Sequence, residues 1–230
     1  MNLIKIAALA FIMLMPVCVQ NALAAEGWYV QTRLAELTDS KDNTMGLFIH
    51  RAGFKGKQHQ VYLKYAGIRH SERERFSLVH RYSLNMPKPH QVILRNTIDY
   101  DRNTQNWQGE ITPIYMYQLT EKWQIGAEFE IDYYQKDKFG IAEIEIEPTI
   151  KYKTRIGQHK LLLELEAPVT RLYSRQDKPT KFKVESYDVL ARYTIPLSLK
   201  TSVALEALIK HDAIKKQSSE TFGLRFRHWF

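Results

Sequence analysis

Apolar and polar residues alternate strictly over long stretches of this chain. From Trp123 to Tyr134, aromatic and aliphatic side chains occupy every second position, with Gln, Gly, Glu and Asp between them. The segment from Ile141 to Lys151 repeats the pattern with isoleucines and glutamates. Successive side chains of a β-strand point to opposite faces, so a period of two predicts strands with one apolar and one charged face.

The same period runs through the rest of the chain. Between Glu26 and Phe230 we identify twelve candidate strands, separated by short polar stretches that contain Gly, Pro, Asn, Asp and Lys. Each has about 8 to 13 residues, near the length with which a tilted strand crosses a bilayer. The apolar faces would contact lipid and the charged faces would line the interior. This predicts an all-β fold, a twelve-stranded antiparallel transmembrane β-barrel of the bacterial outer membrane, with residues 25–230 as its single domain.

The first 24 residues are predicted to be a signal peptide. Lys5 supplies the positive charge, Ile6 to Val17 is a short apolar run, and Ala22-Leu23-Ala24 is a small-residue cleavage site. An uncleaved anchor and a lipoprotein processed at Cys18 are the alternatives. Cys18 is the single cysteine, so the mature chain would have no disulfide. An address outside the cytoplasm excludes nucleic acid as the partner of a chain with net charge +8.

Two further patterns favour a membrane barrel with outer-membrane lipid around it. The last segment alternates up to Phe230, and a final strand that ends in Phe is typical of outer-membrane proteins handled by the barrel assembly machinery. Aromatic residues also recur at strand ends, where amphipathic rings would form interfacial girdles. These residues are Trp28, Tyr65, Tyr82, Tyr100, Trp107, Trp123, Tyr133 and Tyr193.

Charged residues on the predicted inward face are ordered along the chain. Basic residues come from the first five strands and the last one, and acidic residues come from the sixth to the ninth. Because the last strand closes on the first, the two groups would lie on opposite sides of the lumen. The basic arc contains Arg33, Lys64, Arg73, Arg75, Arg81, Arg95, Arg225 and Arg227. The acidic wall contains Glu110, Glu128, Glu130, Asp132, Glu143, Glu145, Glu147, Glu164 and Glu166.

This separation of charge predicts a channel for anions. Guanidinium groups are planar, permanently charged and bidentate toward carboxylates, so arginines at successive depths would pass an acidic solute along the wall. Several weak sites allow flow where one tight site would hold the solute. The alternative is an interior filled by salt bridges, because about eight strands leave a filled core and about 16 to 18 leave an open channel.

The N-terminal strands resemble a known family. Arg33-Leu34-Ala35-Glu36, a polar loop and Gly46-Leu47-Phe48-Ile49-His50-Arg51 are similar to the first hairpin of the oligogalacturonate-specific porins, and Lys64-Tyr65-Ala66 follows at similar spacing. The family pattern has His at the position of Leu34 and Ser near Ile49. The N-acetylneuraminate channel is a further relative. The resemblance implies a monomeric twelve-stranded channel for acidic saccharides, and it adds Arg51 to the basic arc.

An outer-membrane enzyme, either an omptin-like protease or a lipid hydrolase, is the main alternative function. No His has a Ser two residues away on the same strand face, whereas Asp99, Asp101 and His211-Asp212 are a loose omptin-like set. A closed structural or adhesive barrel and a soluble periplasmic β-protein are further alternatives. The scattered histidines give no metal-ligand spacing, so no metal or cofactor is predicted.

These observations together predict a porin and not an enzyme. It would allow passive diffusion of small anionic solutes, with acidic oligosaccharides as the favoured class, along the basic arc.

Overall fold

The computed structural model describes residues 27–38, 44–68, 74–134, 141–172 and 183–230. They form one closed antiparallel β-barrel of twelve strands, which confirms the predicted fold. The predicted signal peptide and Arg73 lie outside the described residues. The strands are β1 Gly27–Thr38, β2 Thr44–Lys55, β3 His59–Ile68, β4 Glu74–Leu84, β5 His90–Asp101, β6 Asn106–Gln118, β7 Trp123–Tyr134, β8 Ile141–Ile156, β9 His159–Glu166 continued by Val169–Leu172, β10 Lys183–Val184 continued by Ser186–Pro196, β11 Thr201–Asp212 and β12 Gln217–Trp229.

Each strand pairs with its neighbours in sequence, and β12 closes the barrel on β1 with Arg225 opposite Arg33. β9 is interrupted at Ala167-Pro168, but both of its segments keep one register against β8. β10 carries one extra residue, Glu185, between its two segments relative to β9. Proline lacks an N–H and a bulge leaves a residue unpaired, so both features interrupt the ladder without ending the strand.

Short hairpins join the strands at the end of the barrel that holds Gly27 and Phe230. The β8–β9 turn has only two residues, and its Gly157 adopts a φ of +61°, a conformation that glycine takes without a steric penalty. At the opposite end, two described loops are each closed by an aspartate side chain that accepts a backbone hydrogen bond. Oδ1 of Asp101 accepts a hydrogen bond from the Thr104 backbone N–H at 2.9 Å, and Oδ1 of Asp212 accepts one from Ile214 at 2.9 Å.

Large apolar side chains cover the outward face. Leu34 on β1 and Phe222 on β12 are 55% and 58% exposed, and both lie on the face opposite to Arg33 and Arg225. Further members are Ile98, Ile111, Ile125, Phe129, Ile150, Leu163, Leu165, Val189, Leu205, Leu224 and Phe226. Soluble monomers do not expose a continuous apolar surface of this extent, so lipid is the environment that fits it.

Aromatic residues flank this surface at both ends of the strands, as predicted. Tyr100 and Trp107 pack with ring centroids 4.9 Å apart toward the loop end. Trp123 and Tyr152 have the same separation toward the end that holds the termini. Rings at the two boundaries favour headgroup depth and fix the height of the barrel in the bilayer. The described residues contain no helix long and apolar enough to cross a membrane.

Candidate functional site

The charged residues predicted to face inward lie on the inward face wherever the structure describes them. Directly opposite residues in an antiparallel ladder share a face. Arg51 is opposite both Gln31 and Lys64, and Arg81 is opposite Arg95. Along each strand, these positions alternate with the exposed apolar residues and fall on the same face as the buried interior residues. We call this the inward parity. The described members of the acidic wall have the same parity.

One carboxylate gathers three arginines from three strands. Glu206 on β11 has a side chain only 1% exposed, and its Oε2 lies 2.7 Å from Nε of Arg33 on β1. Its Oε1 lies 2.6 Å from Nη2 of Arg225 on β12 and also pairs with Nε of Arg192 on β10. Three cations around one anion leave net positive charge on this side of the lumen. We call Arg33, Arg192, Glu206 and Arg225 the Glu206 cluster.

Gly223 opens the path by which Arg33 reaches Glu206. Gly223 is on β12, which lies between β1 with Arg33 and β11 with Glu206. It is directly opposite Ala35 on β1 and directly opposite Glu206 on β11. A Cβ at this position would lie 3.1 Å from Cβ of Ala35 and 3.5 Å from Nε of Arg33. A larger side chain would therefore compete with the Arg33 guanidinium for the space in which it lies.

Two more arginines lie on an aromatic layer nearer the termini. Tyr29, Tyr62 and Val79 form a buried cluster against Trp229. The Arg51 guanidinium carbon lies 5.5 Å from the centre of the Tyr62 ring, and that of Arg227 lies 5.9 Å from the Tyr29 and Trp229 rings. Cation–π contacts of this kind hold a guanidinium without neutralising it.

Arg51 and Arg227 have no carboxylate partner among the described residues. Arg227 donates from Nε and Nη2 to the side-chain oxygen of Gln31, at 3.0 and 2.6 Å. The buried Nε of Arg51 has no hydrogen-bond partner. Neither guanidinium is therefore paired with a carboxylate in the described part of the chain, and both add positive charge to this side of the lumen.

Arg95 lies inside the acidic group, although the sequence order placed it in the basic arc. Its Nε lies 2.9 Å from Oε1 of Glu110, its Nη1 lies 3.0 Å from Oε2 of Glu128 and its Nη2 lies 3.2 Å from Oε2 of Glu130. One cation among three carboxylates leaves net negative charge on this side, as one anion among three cations leaves net positive charge on the other.

Further ion pairs lie at the border of the two groups and within the acidic one. Arg75 lies 3.6 Å from Asp99 at the β4–β5 boundary, where the basic and acidic regions meet. Lys151 pairs with Glu164 between β8 and β9. Residues that face each other directly between β7 and β8 are both acidic at three successive inward positions. The wall around Glu206 therefore carries net positive charge, and the wall around Arg95 carries net negative charge.

Sequence reasoning missed Arg192 and Glu206, the centre of the cationic side. Both lie on the inward face of their strands, so the alternation of polar and apolar residues could have identified them. They went unassigned because the charge grouping stopped at the ninth strand and resumed at the last.

The residues of the protease alternative are not brought together. Asp99 and Asp101 belong to β5 and His211 to β11, six strands apart around a barrel of twelve. Nδ1 of His211 does lie 3.1 Å from Oγ of Ser218 on the neighbouring strand, a pair that a search along single strands misses. No carboxylate in the described part of the chain hydrogen-bonds to His211, so this pair lacks the orienting acid of a hydrolytic triad.

No protein-family model matches the chain, and a search of curated proteins finds no similar sequence. Solved structures do match. The KdgM porin superposes with a TM-score of 0.58 at 9% identity, over 85% of this chain and 98% of that one. The NanC porin gives 0.60 at 8% identity, over 85% and 98%. An outer membrane channel from Pseudomonas putida F1 gives 0.58 at 11% identity, over 91% and 97%.

These similarities are to outer-membrane β-barrels throughout, which confirms the predicted architecture. They also confirm, at the level of fold, the predicted resemblance to the oligogalacturonate-specific porins. At such low identity the similarity shows the fold alone, so the solute has to be inferred from this chain's own side chains.

Proposed function

We propose that this protein is an outer-membrane channel for the passive diffusion of small anionic solutes, and that acidic saccharides are its substrate class. The observation that carries the proposal is the Glu206 cluster, continued toward the termini by Arg51 and Arg227. The arginines of the cluster already hold a carboxylate in the lumen, and the two that follow it have no carboxylate partner in the described chain.

Conduction would proceed by exchange of carboxylates on arginine. A solute carboxylate that enters the cationic side competes with Glu206 for Arg33 and Arg225, and it then meets Arg51 and Arg227 on the aromatic layer. The exchange replaces one ion pair by another, so no single step needs to bind the solute tightly. The acidic side repels the same group and keeps it on the arginine path.

Acidic saccharides fit this path better than simple anions alone. Repeated carboxylates along one saccharide chain would contact successive arginines, from Arg33 and Arg225 to Arg51 and Arg227. A barrel of the same fold, the KdgM porin, has been solved in complex with disordered oligogalacturonate. That complex supports the class of solute without fixing its identity here.

Single-channel recording of the refolded protein tests the substrate class. Galacturonate oligomers should interrupt the current in a concentration-dependent way, and neutral glucose oligomers of the same length should do so much less. Equal block by the two would contradict recognition of the carboxylates.

A closed barrel is the second candidate, favoured by the buried aromatic layer and by the ion pairs around Glu206 and Arg95. It predicts electrical silence from a folded protein in the same recordings. Steady conductance would eliminate it.

A further inference from the structure

We propose a calcium-binding site in the lumen wall, formed by Glu110 and by Glu130 and Asp132. Each of these carboxylates offers a ligand oxygen, and the three oxygens lie within 4.8 Å of one another. Two oxygens bound to one Ca²⁺ at about 2.5 Å each are separated by at most about 5 Å. Small rotations of the three side chains would therefore bring them around one ion, with the strands in place.

Asp132 is the buried member of the site. It is only 6% exposed, and its Oδ1 is buried with no hydrogen-bond partner. A buried carboxylate oxygen without a partner carries a large desolvation cost, which a bound cation removes. Asp99 on β5 is equally buried and also has an unpartnered Oδ1. Asp99 is two residues from Thr97, which is directly opposite Glu110, so it lies on the same face. It adds negative charge beside the site.

The strand register favours a cation here, because it places carboxylates directly opposite one another. Glu110 is directly opposite Asp132, and Asp132 is directly opposite Glu143 on the next strand. Glu130 is directly opposite Glu145. Like charges in directly opposite positions destabilise a sheet, so folding places several repulsive pairs side by side in a partly buried wall.

Arg95 neutralises only part of this charge. It reaches Glu110 through Oε1, which also accepts from the Thr112 hydroxyl at 2.6 Å, and it reaches Glu130 through Oε2. This arrangement leaves the second oxygen of each glutamate for another ligand. Asp132 receives no ion pair from Arg95.

The ligand set selects a hard divalent cation. All three groups bind through oxygen, and no nitrogen or sulfur ligand belongs to the cluster, so zinc and copper are disfavoured. Ca²⁺ accepts irregular geometry with six to eight oxygens, whereas Mg²⁺ demands a near-ideal octahedron. Side chains fixed on two rigid strands suit the larger ion. Sites outside the cytoplasm typically bind it with Kd on the order of 10⁻⁴ to 10⁻³ M.

Calorimetric titration of CaCl₂ into the refolded barrel tests the site, after chelation of metal and in a nonionic detergent that does not bind the ion. The wild type should bind Ca²⁺ saturably at one ion per chain and should bind Mg²⁺ more weakly. Replacement Asp132→Asn should raise the Kd for Ca²⁺ by at least about tenfold, because the buried ligand loses its charge. The matched control Glu166→Gln removes a carboxylate from the same wall outside the cluster and should leave the Kd nearly unchanged.

Urea unfolding gives a second measurement that does not depend on the calorimetric signal. Without calcium, Asp132→Asn should be at least as stable as the wild type because repulsion is relieved. With calcium the order should reverse, because the wild type alone gains binding energy. If Asp132→Asn gives no folded barrel, Glu130→Gln replaces it with the same expectation. Absence of saturable binding by the wild type, or equal weakening by Asp132→Asn and Glu166→Gln, would overturn the proposal. Neither result depends on whether the barrel conducts anions.

Discussion

Arg33 and Arg225 face each other across the seam where the last strand closes on the first, and both contact the carboxylate of Glu206. Two like charges in directly opposite positions would repel each other. Glu206 turns this pair, together with Arg192, into a stable cationic group at the point of barrel closure. The same residues therefore contribute to folding and to the charge that a solute meets.

Replacement Glu206→Gln should separate these two roles. It leaves three arginines without their anion, so the free energy of unfolding should fall by about 3–5 kcal/mol in a urea titration. The folded fraction should show a stronger preference for anions in reversal-potential measurements, because the internal competitor is gone. Glu36 is directly opposite the outward-facing Phe222 and so lies outside the lumen. Glu36→Gln is therefore the control and should alter neither quantity.

A large side chain at Gly223 should block the route of Arg33 to Glu206. Gly223→Leu is expected to lower the free energy of unfolding by about 1–3 kcal/mol through overpacking and to reduce single-channel conductance. Gly109→Ala is the matched control, because a Cβ there meets nothing within 4 Å. Unchanged conductance in Gly223→Leu would show that this part of the lumen does not carry the current.

Arg95 should hold the acidic side together, as Glu206 holds the cationic side. Arg95→Gln leaves Glu110, Glu128 and Glu130 without their shared cation. We expect a loss of about 3–5 kcal/mol in the free energy of unfolding. Ion selectivity should also shift toward cations, because the three carboxylates are no longer neutralised and the net negative charge of the acidic side increases. Lys122→Gln in the β6–β7 turn is the control. Unchanged stability and unchanged ion selectivity in Arg95→Gln would contradict the placement of Arg95 within the acidic side.

The outward face predicts a depth-dependent penalty. Phe129 lies near the middle of β7 on the lipid side, so Phe129→Lys should lower the free energy of unfolding in phospholipid vesicles by about 2–4 kcal/mol. The same substitution at the fully exposed Leu199, in the β10–β11 turn, should have little effect. Similar losses at both positions would mean that depth in the bilayer does not set the cost.

The fold followed closely from the sequence because a period of two in long segments has few other interpretations. Strand number and sidedness were predicted from Trp123–Tyr134 and its counterparts. The interruption at Ala167-Pro168 and the extra residue Glu185 were not predicted, because neither disturbs the alternation enough to be seen without the partner strand.

The candidate site was predictable only in part. Parity gave the inward direction of Arg33 and Arg95, but not which charges they contact. The ion pairs of Arg33 with Glu206 and of Arg95 with Glu128 join strands that are not immediate neighbours in the ladder. Such contacts depend on the stagger of the strands around the barrel, which alternation does not specify.

The central claim is that Arg51 and Arg227, free of carboxylates in the described lumen, give the channel its preference for anions. The most direct test is the reversal potential of single channels in a salt gradient, compared between the wild type and the Arg51→Gln/Arg227→Gln double variant. The wild type should prefer anions, and the double variant should lose most of that preference while remaining folded and conducting. Lys153 on β8 and Lys160 on β9 share the inward face of Lys151 and Glu164. The Lys153→Gln/Lys160→Gln double variant, which removes the same charge from the other side of the lumen, should keep the anion preference. A cation-selective wild type, or equal effects of the two double variants, would contradict the claim.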